Sequence, residues 1–183
     1  MKFKFIFIGL SIVSLVWTAI SCTENTTEPT DENTLLSTSF EKNGKFTSDG
    51  WILPALSDSS NDVPNGGGNF SLQLEATQPP EVFAQIKVPV KTQFNKFKLT
   101  FWSKSTAVTN NIYGKAILSL VRNGSVVQSS NVTVEDIIWK DYSIVDTFTV
   151  ASGDSFMVQL SAGFSQLFAG KTYFDLCTLY GID

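Results

Sequence analysis

The chain has 183 residues, 43% of them hydrophobic, 13% aromatic and 16% charged. That is a globular composition, far from the polar and highly charged signature of disorder, and enough for one domain with appendages. It contains no histidine, which excludes a Ser-His-Asp triad, a Cys-His pair and a histidine-ligated zinc centre together, and its formal net charge of −4 supplies no basic footprint for a nucleic-acid partner.

Residues 1–21 carry Lys2 and Lys4 ahead of an apolar run from Phe5 to Ile20, the layout of a secretory signal. The run ends at Ala19-Ile20-Ser21-Cys22, which resembles the bacterial lipobox, with Ala19 where leucine is commonest. The resemblance implies that Cys22 is lipidated and becomes the first residue of the mature chain. The alternative is an uncleaved anchor, since the run is nearly long enough to span a bilayer. Either reading tethers the protein to a membrane outside the cytoplasm. Removing residues 1–21 takes away two lysines and no acid, lowering the formal charge to −6.

Residues 22–34 are expected to form the lipidated cysteine and a stalk. Thr23 to Asn33 contains no apolar residue and cannot offset the entropy of ordering. Its acidity resembles the stretch behind the lipidated cysteine of Bacteroidota-type surface lipoproteins, which implies an outer-membrane lipoprotein, either periplasmic or surface-exposed. With Cys22 acylated, Cys177 has no disulfide partner. It sits between Leu176 and Thr178, where a buried, inert thiol is expected.

Residues 35–183 read as short strands separated by turn residues. Leu36 to Glu41 is closed by Asn43-Gly44. Asp49-Gly50 leads into Trp51-Ile52-Leu53, which Pro54 stops. Asp58 to Asn69 is a polar loop whose Gly66-Gly67-Gly68 can take positive φ, and it opens into Phe70 to Glu75. Val82 to Val88 follows Pro79-Pro80. Phe97 to Lys104 alternates strictly, with Phe97, Leu99 and Phe101 on one face and Lys98, Thr100, Trp102 and Lys104 on the other. Ile112 to Arg122 and Ser125 to Val134 flank Asn123-Gly124, the strongest hairpin signal in the chain. Tyr142 to Val150, Phe156 to Leu160 and Lys171 to Tyr180 complete the set. No stretch has helical periodicity, so about ten strands predict an all-β antiparallel sandwich.

The order of motifs narrows this further. Ser39-Phe40-Glu41, Gly50-Trp51, the glycine-rich loop before Ser71-Leu72-Gln73-Leu74, Phe97 to Ser103, Trp139 with Tyr142-Ser143, and Gly170 with Tyr173-Phe174-Asp175 resemble the galactose-binding-like jelly roll of carbohydrate-binding modules. The resemblance covers residues 36–182. It implies a jelly-roll β-sandwich and a structural calcium held by Glu41 and Asp175. Leu176 stands where the family has a second aspartate, which removes one oxygen ligand. Asp175 is placed by strand phase with Tyr173, Cys177 and Leu179, and a carboxylate on an apolar face needs a compensating partner. Backbone N–H groups or a lysine could serve instead of a cation.

Sugar recognition requires flat aromatic surface beside a few amide, hydroxyl or charged groups. Trp102 is the leading candidate, with Lys98 and Thr100 as strand neighbours, Gln159 on the polar phase of its strand, and Tyr113 as a second platform. The competing reading packs Trp102 against the connection past Asn110-Asn111. Trp51 and Trp139 stand at framework positions and are expected to cap the core, and Phe164 and Phe168 belong to a loop expected to fold onto one end. Glu135 and Asp136 are adjacent and cannot form a glycosidase pair across a cleft, while Glu75, Glu81, Asp146 and Asp154 are scattered. The resulting expectation is a non-catalytic, membrane-anchored glycan-binding module. Its alternative is a structural or protein-partner-binding envelope lipoprotein.

Overall fold

A computed structural model describes residues 32–76, 81, 83–106, 114–165 and 168–182, without the side chains of 164–169. The signal, Cys22, most of the stalk, Tyr113 and the connection past Asn110-Asn111 lie outside these residues, as do the side chains of Phe164 and Phe168. Thirteen strands are described and no helix: β1 (Thr34–Thr38), β2 (Glu41–Lys42), β3 (Lys45–Phe46), β4 (Ser57–Ser60), β5 (Ser71–Ala76), β6 (Phe83–Pro89), β7 (Lys96–Ser105), β8 (Gly114–Arg122), β9 (Ser125–Val134), β10 (Lys140–Thr147), β11 (Ser155–Ser161), β12 (Phe164–Ser165) and β13 (Phe168–Ile182). The expected antiparallel sandwich forms. One sheet runs β10-β7-β13-β5-β4 with β1 alongside β13, and the other runs β6-β11-β8-β9.

The two inner faces follow from period-two alternation. Phe97, Leu99 and Phe101 of β7 are at most 1% exposed and meet Phe156, Val158 and Leu160 of β11, all at 0%. Phe97 sits at the centre, with ring centroids 4.6 Å from Phe156 and 6.3 Å from Phe148. Cys177 is buried as expected, and burial, reinforced by Asp175, pushes its thiol up.

Several elements depart from the expected boundaries. The folded domain includes Asn33 and Thr34, ahead of the expected start at residue 35: Thr34 pairs with Tyr180 and Asn33 is 5% exposed. The stretch Leu36 to Glu41 is not one strand: Phe40 takes φ 52°, which swings its ring into the core against Trp51 at 5.4 Å. Asn43-Gly44 is a second hairpin turn, with φ of 55° and 70°. Trp51-Ile52-Leu53 contributes only a bridge between Ile52 and Gln85. All but the first residue of β4, Ser-Asp-Ser-Ser, falls in the expected polar loop; it is a sheet edge with no apolar face to announce it.

A bulge in β13 corrects the phase of Asp175. Its register with β7 shifts between Asp175 and Thr178, and Leu176 takes φ 50°. Asp175 therefore shares the outer face with Tyr173 and Trp102, whereas Cys177 and Leu179 face the core.

Both chain ends of the described domain meet at one end of the sandwich, called the base below. There Gly181 N–H donates to the Asn33 carbonyl at 3.0 Å. The base also holds the β8–β9 turn at Asn123-Gly124, residues 91–95 before β7 and residues 151–154 before β11. At the base Arg122 clamps the buried Asp154 through its Nε at 2.9 Å and Nη2 at 2.7 Å.

Candidate functional site

The two outer faces differ in kind. On the first sheet, β7 presents Lys98, Thr100, Trp102 and Lys104 outward, opposite Tyr180, Thr178, Asp175 and Tyr173 of β13. Its upper half is covered by residues 61–69 and by Trp139. Asp62 accepts hydrogen bonds from Lys104 Nζ and, at 2.9 Å, from Trp139 Nε1. Burial works against the Asp62 charge, but the Lys104 and Trp139 bonds outweigh it and hold the carboxyl below its usual range. The Lys104 ammonium lies 5.5 Å from the Trp139 ring centroid and 5.2 Å from that of Tyr173, within cation–π range. Trp139 thus belongs to the outer face and does not cap the core, a correction to its expected role. Trp51 is in the core, at 8% exposed.

Beneath this covering lies Asp175, fully buried. Its Oδ1 accepts the Leu176 N–H at 2.8 Å, while its Oδ2 has no hydrogen-bond partner. Burial, with a smaller push from Glu41, raises its carboxyl to about 7. Glu41 accepts the Asn69 N–H at 2.5 Å and the Asn69 amide at 3.1 Å. The backbone packs directly on both carboxylates: a Cβ on Gly67 would fall 2.3 Å from Asp175 Oδ2, and one on Gly68 would fall 2.6 Å from Glu41 Oε2. An orphaned buried oxygen, a second carboxylate and a glycine cradle fit a hard cation with oxygen ligands. Among the described residues no group of three or more acidic, Cys or His side chains could hold a metal, so such a cation depends on two carboxylates together with backbone oxygens.

The outer face of the second sheet is partly exposed: Ser119, Val121 and Ser161 on its outward phase are buried, while a row across its middle reaches the surface among the described residues. Gln85 of β6, Gln159 of β11, Ile117 of β8 and Asn131 of β9 are directly opposite one another in successive strands, and the Ile52 bridge extends this row beyond Gln85. Gln85, Gln159 and Ile117 are half-buried; Asn131 is exposed, and Ile52 is 66% exposed. Phe83 and Met157 flank the row as half-buried apolar surface. At one corner Glu81 accepts Ser161 Oγ at 2.6 Å and pairs with Lys115 at 3.5 Å.

The candidate residues are therefore not assembled as expected. Trp102, Thr100 and Lys98 share one outer face, and Gln159 stands on the opposite one. Trp102 is half-buried beside Asp175 and, among the described residues, its indole makes no hydrogen bond or ring contact. Sequence reasoning missed Gln85, Asn131 and Ile117. Each sits on the outward phase of its strand, but their alignment depends on inter-strand register, which no single strand carries.

No family model matches the chain, and no curated protein matches it. Solved structures do. The CBM22-1 xylan-binding domain of Paenibacillus barcinonensis Xyn10C superposes with a TM-score of 0.56 at 17% identity, covering 82% of this chain and 96% of that one. A family 16 carbohydrate-binding module gives 0.53 at 23% identity, over 72% and 90%. The enzymatically active domain of bacteriophage CBA120 tailspike protein 4 gives 0.55 at 17% identity over 69% of this chain, which spans only 18% of its length. These likenesses establish the fold: an all-β sandwich of the kind used by carbohydrate-binding modules.

Proposed function

We propose that this protein is a lipid-anchored envelope module that binds a neutral glycan on the outer face of the β6-β11-β8-β9 sheet. The observation that carries this reading is the row Ile52, Gln85, Gln159, Ile117 and Asn131. Neighbouring strands lie about 4.8 Å apart, so side-chain amides recur at intervals close to the spacing of pyranose units. Apolar surface from Phe83, Met157 and Ile117 lies beside them. Amides donate and accept without charge, which suits hydroxyls. We read the module as non-catalytic, because the carboxylates described near this rim are engaged singly: Glu81 by Lys115 and Ser161, and Glu135 by Thr133.

The cation reading belongs to the other face. Glu41 and Asp175 would hold a calcium ion, and the ion would supply positive charge that compensates the buried Asp175 carboxyl and the half-buried Glu41. Its role is structural: it fastens residues 61–69 and β2 to β13.

The lipid anchor rests on Lys2, Lys4, the apolar run and Cys22, and it places the module on the outer membrane. Affinity electrophoresis of the chain in gels containing soluble xylan, galactan or mixed-linkage glucan tests the glycan reading. Retardation in at least one gel, reduced by Gln159→Ala and untouched by Trp102→Ala, is expected. Uniform lack of retardation by folded protein would overturn it.

A further inference from the structure

We propose that the base of the sandwich docks on an anionic lipid surface, orienting the domain on the membrane that tethers it. The inference rests on the anchored reading above and adds a second, non-covalent contact. Three observations place it. First, the chain leaves the domain at this end, where Asn33 bonds Gly181 and Lys91 Nζ donates to the Glu32 carbonyl. The ten residue steps back to Cys22 span at most about 35 Å even fully extended, so the base is the end held near the bilayer.

Second, the cations are segregated. Lys42, Lys104, Lys115, Lys140 and Lys171 each lie within 4.0 Å of a carboxylate. Among the described residues four lysines have none: Lys45 in the β2–β3 hairpin, and Lys87, Lys96 and Lys98, which gather at or near the basal strand ends. Of the acids described there only Asp154 is matched by a cation, Arg122; Asp146 accepts the neutral Ser130 Oγ, and Glu32 is exposed. The net charge of the whole chain is negative, so this local excess of unpaired lysine runs against the average. Lysines near an anionic leaflet are attracted to it.

Third, the β8–β9 hairpin brings apolar surface to the same end. A register shift sets Val126 and Val127 just past the turn, each 51% exposed. Exposed valines beside lysines are the pairing that interfacial attachment uses: apolar groups enter the headgroup boundary while ammonium groups meet phosphate. Docking by the base also leaves the amide row open toward solvent, because the row lies on a side of the sandwich.

The test uses the full chain reconstituted into vesicles of phosphatidylethanolamine with phosphatidylglycerol, or of phosphatidylcholine alone. An environment-sensitive fluorophore is placed at Val127→Cys or, at the opposite end, at Ile138→Cys, a position 70% exposed. Cys177 is fully buried and does not compete for the label. In the anionic vesicles the Val127 label should shift to the blue, and its quenching by aqueous iodide should fall several-fold. The Ile138 label should change in neither respect. High salt or the Lys87→Glu/Lys96→Glu pair should restore quenching, with near-ultraviolet circular dichroism unchanged. A Val127 label as quenchable as the Ile138 label, on chain that sediments with anionic vesicles, would overturn the docking. Mass spectrometry of the same sample reports acylation of Cys22 separately, so a failed anchor and a failed docking leave different signatures.

Discussion

The two outer faces of the sandwich differ in a way their composition conceals. The face of β7 and β13 holds Trp102, Trp139, Tyr173 and several charges, the residue types that attract attention as a sugar platform. Its upper half is instead tied together: Lys104 is enclosed by Asp62, Trp139 and Tyr173, and Asp175 is sealed under Gly67, while Trp102 and Lys98 stand outside this network. The plainer face of β6, β11, β8 and β9 carries amides and aliphatic groups, and among the described residues the side-chain amides of Gln85, Gln159 and Asn131 make no hydrogen bond. Aromatic content alone thus does not distinguish a recognition surface from a well-fastened one; what separates them is whether the polar atoms already have partners.

Perturbing what the two faces share should give the largest effect. Phe97→Ala removes the ring between Phe148 and Phe156 and is expected to cost about 3–5 kcal/mol, read as a lower urea midpoint, with both faces lost together. Next comes a change confined to the first face. Gly67→Ala forces a Cβ against Asp175 and the Pro64 ring, a clash worth about 1–3 kcal/mol. It should abolish any rise in melting temperature on adding calcium while leaving glycan-gel retardation unchanged. If retardation fell as much as stability, the faces would be coupled and the division would be wrong.

Smaller again is the effect confined to the second face. Gln159→Ala or Gln85→Ala should each weaken binding by about 1 kcal/mol, roughly fivefold, with the melting temperature nearly constant. A loss on Trp102→Ala instead would return the site to the other face. The smallest effect concerns neither face. The Asp154 carboxyl is held below its usual range, chiefly by the Arg122 hydrogen bonds. Its contribution is therefore present above the ordinary carboxylate pKa of about 4 and is lost as the pH falls through the depressed value. Asp154→Asn should flatten the acid limb of melting temperature against pH without changing retardation at neutral pH.

The alternation in Phe97 to Lys104 and the Asn-Gly pair at 123–124 were sufficient to find β7 and the β8–β9 hairpin, because strand period and turn conformation are local properties. The edge strand β4 was not legible, since Ser57 to Ser60 has no apolar face. Neither was the kink at Phe40: positive φ in a phenylalanine is stabilised only by the tertiary pocket that its ring fills beside Trp51. The phase of Asp175 was misread for a related reason. A bulge inserts a residue into the count, and nothing in Asp175-Leu176-Cys177 marks it.

By itself, the sequence determined the all-β class, most of the long strands with their inward faces, and the absence of histidine chemistry. All of these depend on residue type and on neighbours a few positions away. Only the tertiary structure decided which polar residues meet. Gln85, Ile117, Asn131 and Gln159 come from four strands, of which only β8 and β9 are joined by a tight hairpin, and they form a row because register between the others is set by the packing of two whole sheets. Trp102 and Gln159 were parted for the same reason, since a sandwich has two outsides and the alternation within a strand does not say which of them its polar face joins.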